Sequence, residues 1–169
     1  MKMKILAALF ITVFLCLIQA KLSNATIVKR MTIEEMTTEA EIILEGKVTS
    51  VESEWNYNRE QIHTFVTVEV DEFVKGDLDV KELKLRLLGG TVGDTTMLII
   101  DSPIFVPEEE VFLFLRKEYR SFFPVEGLYQ GKFHIETDPN TGEKVLRNEL
   151  WKFLRKDLLE QVNKILLKK

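Results

Sequence analysis

Residues 62–70 alternate strictly between two faces, and this constrains the chain more than any other feature. Ile62, Thr64, Val66, Val68 and Val70 fall on one side, and His63, Phe65, Thr67 and Glu69 on the other. Successive side chains of a strand point to opposite faces, so a sustained period of two specifies a half-buried strand and does not suit a helix. The preceding run, residues 42–51, is apolar around Gly46 and strand-like. The polar stretch 54–61 between the two runs reads as the loop of a long hairpin. Leu83, Leu85 and Leu87 alternate with Lys84 and Arg86, which adds a third half-buried strand.

Further strands follow. Gly89-Gly90 and Gly93-Asp94 mark a loop, and residues 97–100 read as a short apolar strand. Pro103 and Pro107 bracket a turn before the acids Glu108, Glu109 and Glu110. Residues 111–115 are continuously apolar between charges, the pattern of a strand buried on both faces. Residues 127–136 read as a strand with Gly131 as a bulge. The sequence Asp138-Pro139-Asn140-Thr141-Gly142 is a hairpin turn, in which proline presets φ and glycine supplies a left-handed residue. Residues 144–147 return as the partner strand.

Two helices bracket these strands. Over residues 32–41, Thr32 can cap, Glu35 completes a capping box, and Met31, Ile33 and Met36 face inward. Over residues 150–167, Leu150, Leu154, Leu158 and Val162 form an i, i+4 stripe widened by Phe153, Ile165 and Leu166. Short strands at regular spacing point to a small barrel or sandwich.

The first 25 residues read as a signal peptide. Lys2 and Lys4 precede an apolar run, residues 5–18, broken only by Thr12, and small-residue cleavage sites end at Ala20 and Ala25. The run falls short of the roughly 20 residues a membrane span needs. The expected location is secreted or periplasmic, with no membrane attachment after cleavage. Cys16 is the single cysteine and lies inside this run after Leu15, which is too large for a lipidation site. The domain beyond therefore carries no thiol, and its core must hold it without disulfides.

Of the 169 residues, 30% are charged and 46% apolar, a globular balance. The net charge is −4 even with Lys2 and Lys4 included. An acidic surface repels phosphate backbones and anionic bilayers, so nucleic acid and membrane are not expected partners.

Four segments together carry a resemblance. Residues 40–51 hold an Ala-acid-apolar start and Gly46-Lys47-Val48; residues 62–76 end in Lys75-Gly76; residues 83–93 contain Gly89-Gly90; and residues 105–115 contain Phe112-Leu113-Phe114-Leu115. This layout, extended by Gly127-Leu128-Tyr129-Gln130-Gly131-Lys132-Phe133, is similar to uncharacterised secreted bacterial proteins. It also resembles the netrin and tissue-metalloproteinase-inhibitor module, an OB-type barrel. The resemblance covers most of the chain beyond the leader. It implies a mainly β, β-rich α+β fold: a small OB-like antiparallel barrel with a short N-terminal and a longer C-terminal helix. Residues 26–169 would form one domain, including helix 149–168. The inhibitors act through an N-terminal cysteine, which this chain lacks, so no functional residue carries over.

The chemistry-bearing residues are sparse. His63 and His134 lack the local spacing and third ligand of a zinc site. Ser23, Ser50, Ser53, Ser102 and Ser121 lie outside any nucleophile elbow. The glycines of 89–94 lack the Lys-Ser/Thr of a phosphate loop. Asp138 to Glu143 lacks EF-hand spacing and reads as a turn. No catalytic, metal or cofactor site is expected. Trp55, Tyr57 and Arg59 stand apart as residue types enriched at binding hot spots, placed together in a polar hairpin loop. They are the candidate contact to a protein or carbohydrate partner, weighed against Trp55 folding back as core. The C-terminal helix is expected to dock on its own domain. The expected function is a non-catalytic exported binding or accessory module; a hydrolase with an unrecognised site and a self-associating envelope component are the alternatives.

Overall fold

The computed structural model describes residues 28–76 and 78–168. The leader and Cys16 lie outside the described residues. The elements follow in the order α1 (Ile33–Glu39), β1 (Ile42–Trp55), β2 (Ile62–Lys75), β3 (Glu82–Leu88), β4 (Gly90–Val92), β5 (Thr95–Met97), β6 (Glu110–Leu115), β7 (Lys132–Thr137), β8 (Lys144–Arg147), β9 (Lys152–Leu154) and α2 (Arg155–Leu166). A seven-stranded antiparallel sheet runs β3-β2-β1-β6-β7-β8-β9, and β4 pairs with β5 in a separate hairpin.

The mainly β, β-rich α+β class is as expected, with antiparallel pairing and two α-helices among the described residues. The sheet, however, does not close into the expected barrel: β3 and β9 are free ends of the order. The cause lies in β1. Register shifts at 45/46 and 48/50 bend it, and only residues 42–47 pair with β6. Its second half turns away with β2 and packs against β4 instead.

Burial explains why each element forms. On one sheet face, Leu44, Val48, Val66, Val68, Leu85 and Leu113 make a core that Phe105 and Val125 cover from loops. On the other, Ile43, Phe112, Phe114, Phe133 and Leu146 pack against Met36 of α1 and Leu158 and Val162 of α2. All of residues 111–115 are buried, so β6 is covered on both faces as its unbroken apolar run requires. Each such side chain contributes about 2 kcal/mol on leaving water. The capping box of α1 forms: Glu35 N donates to Thr32 Oγ1 at 3.1 Å, and Thr32 N donates to Glu35 Oε2 at 2.7 Å. The turn at 138–142 joins β7 to β8 as read.

Three expectations are corrected. Residues 97–100 are not a strand, because β5 ends at Met97, and Leu98 and Ile100 stand 86% exposed. Residues 128–131 form a 3₁₀ turn rather than a bulged strand. Gly127 and Leu128 both take φ of 59°, and the buried Gln130 side chain accepts from Met31 N and donates to Lys29 O, each at 3.0 Å. That amide ties the turn to the N-terminal segment and delays the strand to Lys132.

The C-terminal helix begins at Arg155, not in the region of residues 149–150. Asn148 Oδ1 accepts from Leu150 N and Trp151 N, both at 2.9 Å, and turns the chain back along β8. Residues 152–154 then pair as β9, with Phe153 opposite Leu146. The rings of Trp151 and Phe153 lie 6.2 and 6.3 Å from that of Phe133. Burying them against an existing aromatic cluster outweighs the helical period of this stretch.

Candidate functional site: a pinned apolar loop over an uncharged groove

The long hairpin ends beyond the bend, and its last residues form one wall of a groove. Antiparallel register places Val51 opposite Val66, Ser53 opposite Thr64 and Trp55 opposite Ile62 on one face. The β4–β5 hairpin and residues 98–105 close the other side, leaving about 390 Å³. Its lining is mostly aliphatic: Val51, Val66, Leu87, Met97, Leu98 and Ile104 contribute.

The loop above the groove is held in place. Ser102 N donates to Ile99 O at 3.3 Å, Tyr129 N to Asp101 O at 3.1 Å, and Glu108 N to Val48 O at 2.8 Å. Pro103 and Phe105 point inward and are buried. The Lys132 ammonium lies 5.0 Å from the centre of the Phe105 ring and 2.7 Å from Glu109 Oε1. Glu109 Oε1 also accepts from Val106 N at 3.1 Å. The alternate positions are exposed: Leu98, Ile100, Ile104 and Val106 are 86%, 86%, 79% and 56% exposed. Four large apolar side chains exposed on one fixed loop make it a candidate interaction surface.

The residues singled out in the sequence fall nearby. Trp55 is half-buried at the end of β1, next after Ser53 on the groove face. Tyr57 is fully exposed. Arg59 is exposed and takes φ of 57°, a left-handed conformation uncommon outside glycine. Asn56 organises this tip: its Oδ1 accepts from Glu60 N at 2.9 Å and Gln61 N at 3.1 Å, and its N–H donates to Gln61 O at 2.8 Å. The apolar loop starts near this tip, where Met97 Sδ accepts from Ile62 N at 3.5 Å, and ends farther back along β1, where Glu108 N donates to Val48 O.

The remaining candidates are dispersed over the fold. His63 packs its ring 4.8 Å from that of Phe122, and its Nε2 is buried without a hydrogen-bond partner among the described residues. His134, on β7, places Nδ1 3.5 Å from Glu109 Oε2. Among the described residues no three His, Cys, Asp or Glu side chains gather as a metal site. Ser50 bonds the Thr67 hydroxyl at 3.1 Å, Ser53 bonds Thr64 at 2.8 Å, and Ser121 accepts from Phe123 N at 3.4 Å. Ser102 lies in the loop, and Ser23 lies outside the described residues. The glycine run forms the β4–β5 hairpin. Asp138 spends Oδ1 on Asn140 N at 2.8 Å and Thr141 N at 3.3 Å. Those two backbone bonds hold its carboxyl below the usual range.

The apolar loop was missed because residues 97–100 read as an ordinary strand. Its signal was present: an apolar stretch without period-two alternation, interrupted by Pro103. The chain matches no family model, no curated protein and no solved structure.

Proposed function

We propose that this protein is a non-catalytic binding module of the secreted or periplasmic space, and that it docks another protein on the loop of residues 97–106. The outward set of Leu98, Ile100, Ile104 and Val106 on a pinned loop carries this reading. Leaving such side chains in water forgoes about 2 kcal/mol each, which a partner recovers on covering them. Aliphatic chains favour a protein over a carbohydrate, which stacks instead on aromatic rings. Trp55, Tyr57 and Arg59 would extend the contact at the adjoining hairpin tip. The acidic surface supports a partner other than nucleic acid. The resemblance of the sequence pattern to uncharacterised secreted bacterial proteins and to the netrin and tissue-metalloproteinase-inhibitor module, which carries no functional residue over, is compatible with this role.

The test is affinity capture from the exported fraction of the producing cell, with the wild type beside an Ile100→Ser/Val106→Ser variant. The expected result is a partner held by the wild type and lost by a variant of unchanged melting temperature. Equal capture by both proteins overturns the docking surface. Light scattering on the same pair separates the self-associating alternative, which would give concentration-dependent size in the wild type alone.

A further inference from the structure

The groove beneath the loop has a chemistry of its own: of the four exposed loop side chains, Leu98 and Ile104 also line it, and Ile100 and Val106 do not. Among the described residues, none of the side chains lining it is charged, in a chain that is 30% charged. Its volume of about 390 Å³ falls within the range of small-molecule sites. A charged ligand entering it would lose its hydration with no counter-ion to replace it, which costs far more than burial of its apolar part returns.

The polar atoms on the sheet side have a fixed direction. Thr64 Oγ1 donates to Gly89 O at 2.7 Å, and a carbonyl can only accept. The Thr64 proton is therefore committed, so in the 2.8 Å contact between Ser53 Oγ and Thr64 Oγ1 the proton comes from Ser53. The chain runs Ser53 to Thr64 to Gly89, and Ser53 Oγ stands at its head with no proton to offer and no further partner among the described residues. Accepting one more hydrogen bond there extends the chain, and bonds in such a chain polarise one another. Gly90 holds this arrangement close. It has φ of 133°, and a Cβ at that position would overlap both hydroxyl oxygens. On the opposite wall, the Thr91 and Thr96 hydroxyls bond each other at 3.0 Å. Ser102, half-buried in the loop, is the remaining hydroxyl.

We propose that this groove binds an uncharged, apolar small molecule that carries a hydrogen-bond donor, a hydroxyl or an amide N–H, at its inner end. The aliphatic lining takes the body of the ligand, and Ser53 Oγ accepts from its donor. Carboxylates fail twice, by burying a charge and by presenting acceptors to an acceptor. Ethers and alkanes of the same length fit the lining but leave Ser53 Oγ without a bond.

The test uses three probes built on one straight eight-carbon chain: 1-octanol, octyl methyl ether and octanoate, the last ionised at about pH 8. Titrations are followed by the methyl resonances of Val66, Leu87 and Met97. Saturable shifts at these methyls are expected with 1-octanol. The ether should bind about tenfold more weakly, the equivalent of one hydrogen bond, and octanoate weaker still. In a folded Ser53→Ala variant, alcohol and ether should agree within about twofold. The proposal is overturned if octanoate binds as well as the alcohol, if 1-octanol gives no saturable shift at these methyls, or if Ser53→Ala keeps the alcohol's advantage. Ile100 and Val106 do not line the groove, so loss of partner capture in their variant and loss of alcohol binding in Ser53→Ala are separate results.

Discussion

Arg155, the first residue of α2, places Nε 2.8 Å from Glu45 Oε1 and 2.9 Å from Oε2, joining positions 110 residues apart. Glu45 is 6% exposed on the helix-covered face of β1, and Arg155 Nη2 continues to Glu72 Oε2 at 3.0 Å. A cation in the first turn opposes the helix dipole, so its placement there answers to the buried acid below it. The pair fixes where α2 enters the sheet.

Removing the cation leaves a buried carboxylate without compensation. Arg155→Ala should lower unfolding free energy by about 2 kcal/mol, below the usual cost for a fully buried pair because Arg155 is partly exposed. Replacing both partners, as Glu45→Met with Arg155→Leu, should recover most of that loss. Urea denaturation measures both, and a double variant as unstable as Arg155→Ala would count against this account.

Two glutamates should respond to pH in opposite directions. Burial, the dominant effect, holds the Glu45 carboxyl above the usual range, partly offset by the Arg155 hydrogen bond. Its contribution to stability is then fully present below the ordinary carboxylate pKa and is lost as pH rises through its elevated value. The stability of the wild type minus that of Glu45→Gln should therefore be smaller at about pH 7 than at about pH 4. The Lys29 hydrogen bond, followed by the bonds from Thr32, brings Glu35 down to about 2. Its contribution is present above the ordinary range and disappears as pH falls toward that value. Carboxyl titration by NMR reads both residues, and coincident midpoints would contradict the prediction.

The C-terminal helix is part of the core. Leu158 and Val162 are fully buried against the second cluster. Leu158→Ala should cost about 3 kcal/mol. Deleting residues 149–169 removes β9 as well and uncovers Phe133, and the truncated chain should lose its native circular dichroism. A truncated protein that stays folded would make the helix an independent appendage.

At the hairpin tip the two aromatics should separate. Tyr57 is fully exposed, and Tyr57→Ala should change stability by less than about 0.5 kcal/mol. Trp55 is half-buried and pairs across the strands with Ile62, so Trp55→Ala should cost about 1 kcal/mol. Equal losses from both would show that the tip is one packed unit.

Those features that depend on a few neighbouring residues were legible before the fold was known. The Thr32 and Glu35 capping box, the Asp138 to Gly142 turn, and the alternations through Val66, Val68, Leu83 and Leu85 all appear where expected. Each is a local matter of side-chain direction or of φ preference, which a short window contains. The misreadings arose where a distant partner decided. Residues 152–154 carry helical spacing, yet Phe133 and the β8 edge draw them into a strand. Residues 128–131 follow the needs of Met31 and Lys29, about a hundred positions earlier.

The candidate sites divide along the same line. Trp55, Tyr57 and Arg59 could be named from residue type and loop position alone. The exposure of Leu98, Ile100, Ile104 and Val106 could not, because apolar residues usually signal burial and only the inward anchors Pro103 and Phe105 turn these outward. By itself, then, the sequence determined the strands that alternate, the caps and the turns, since these are settled by chemistry within one element. Tertiary structure alone decided that the sheet stays open, that Glu45 is buried under Arg155, and that an uncharged groove lies beneath a fixed apolar loop. Those outcomes depend on which surfaces meet across the whole chain, and hydrophobic burial carries no address in the local sequence.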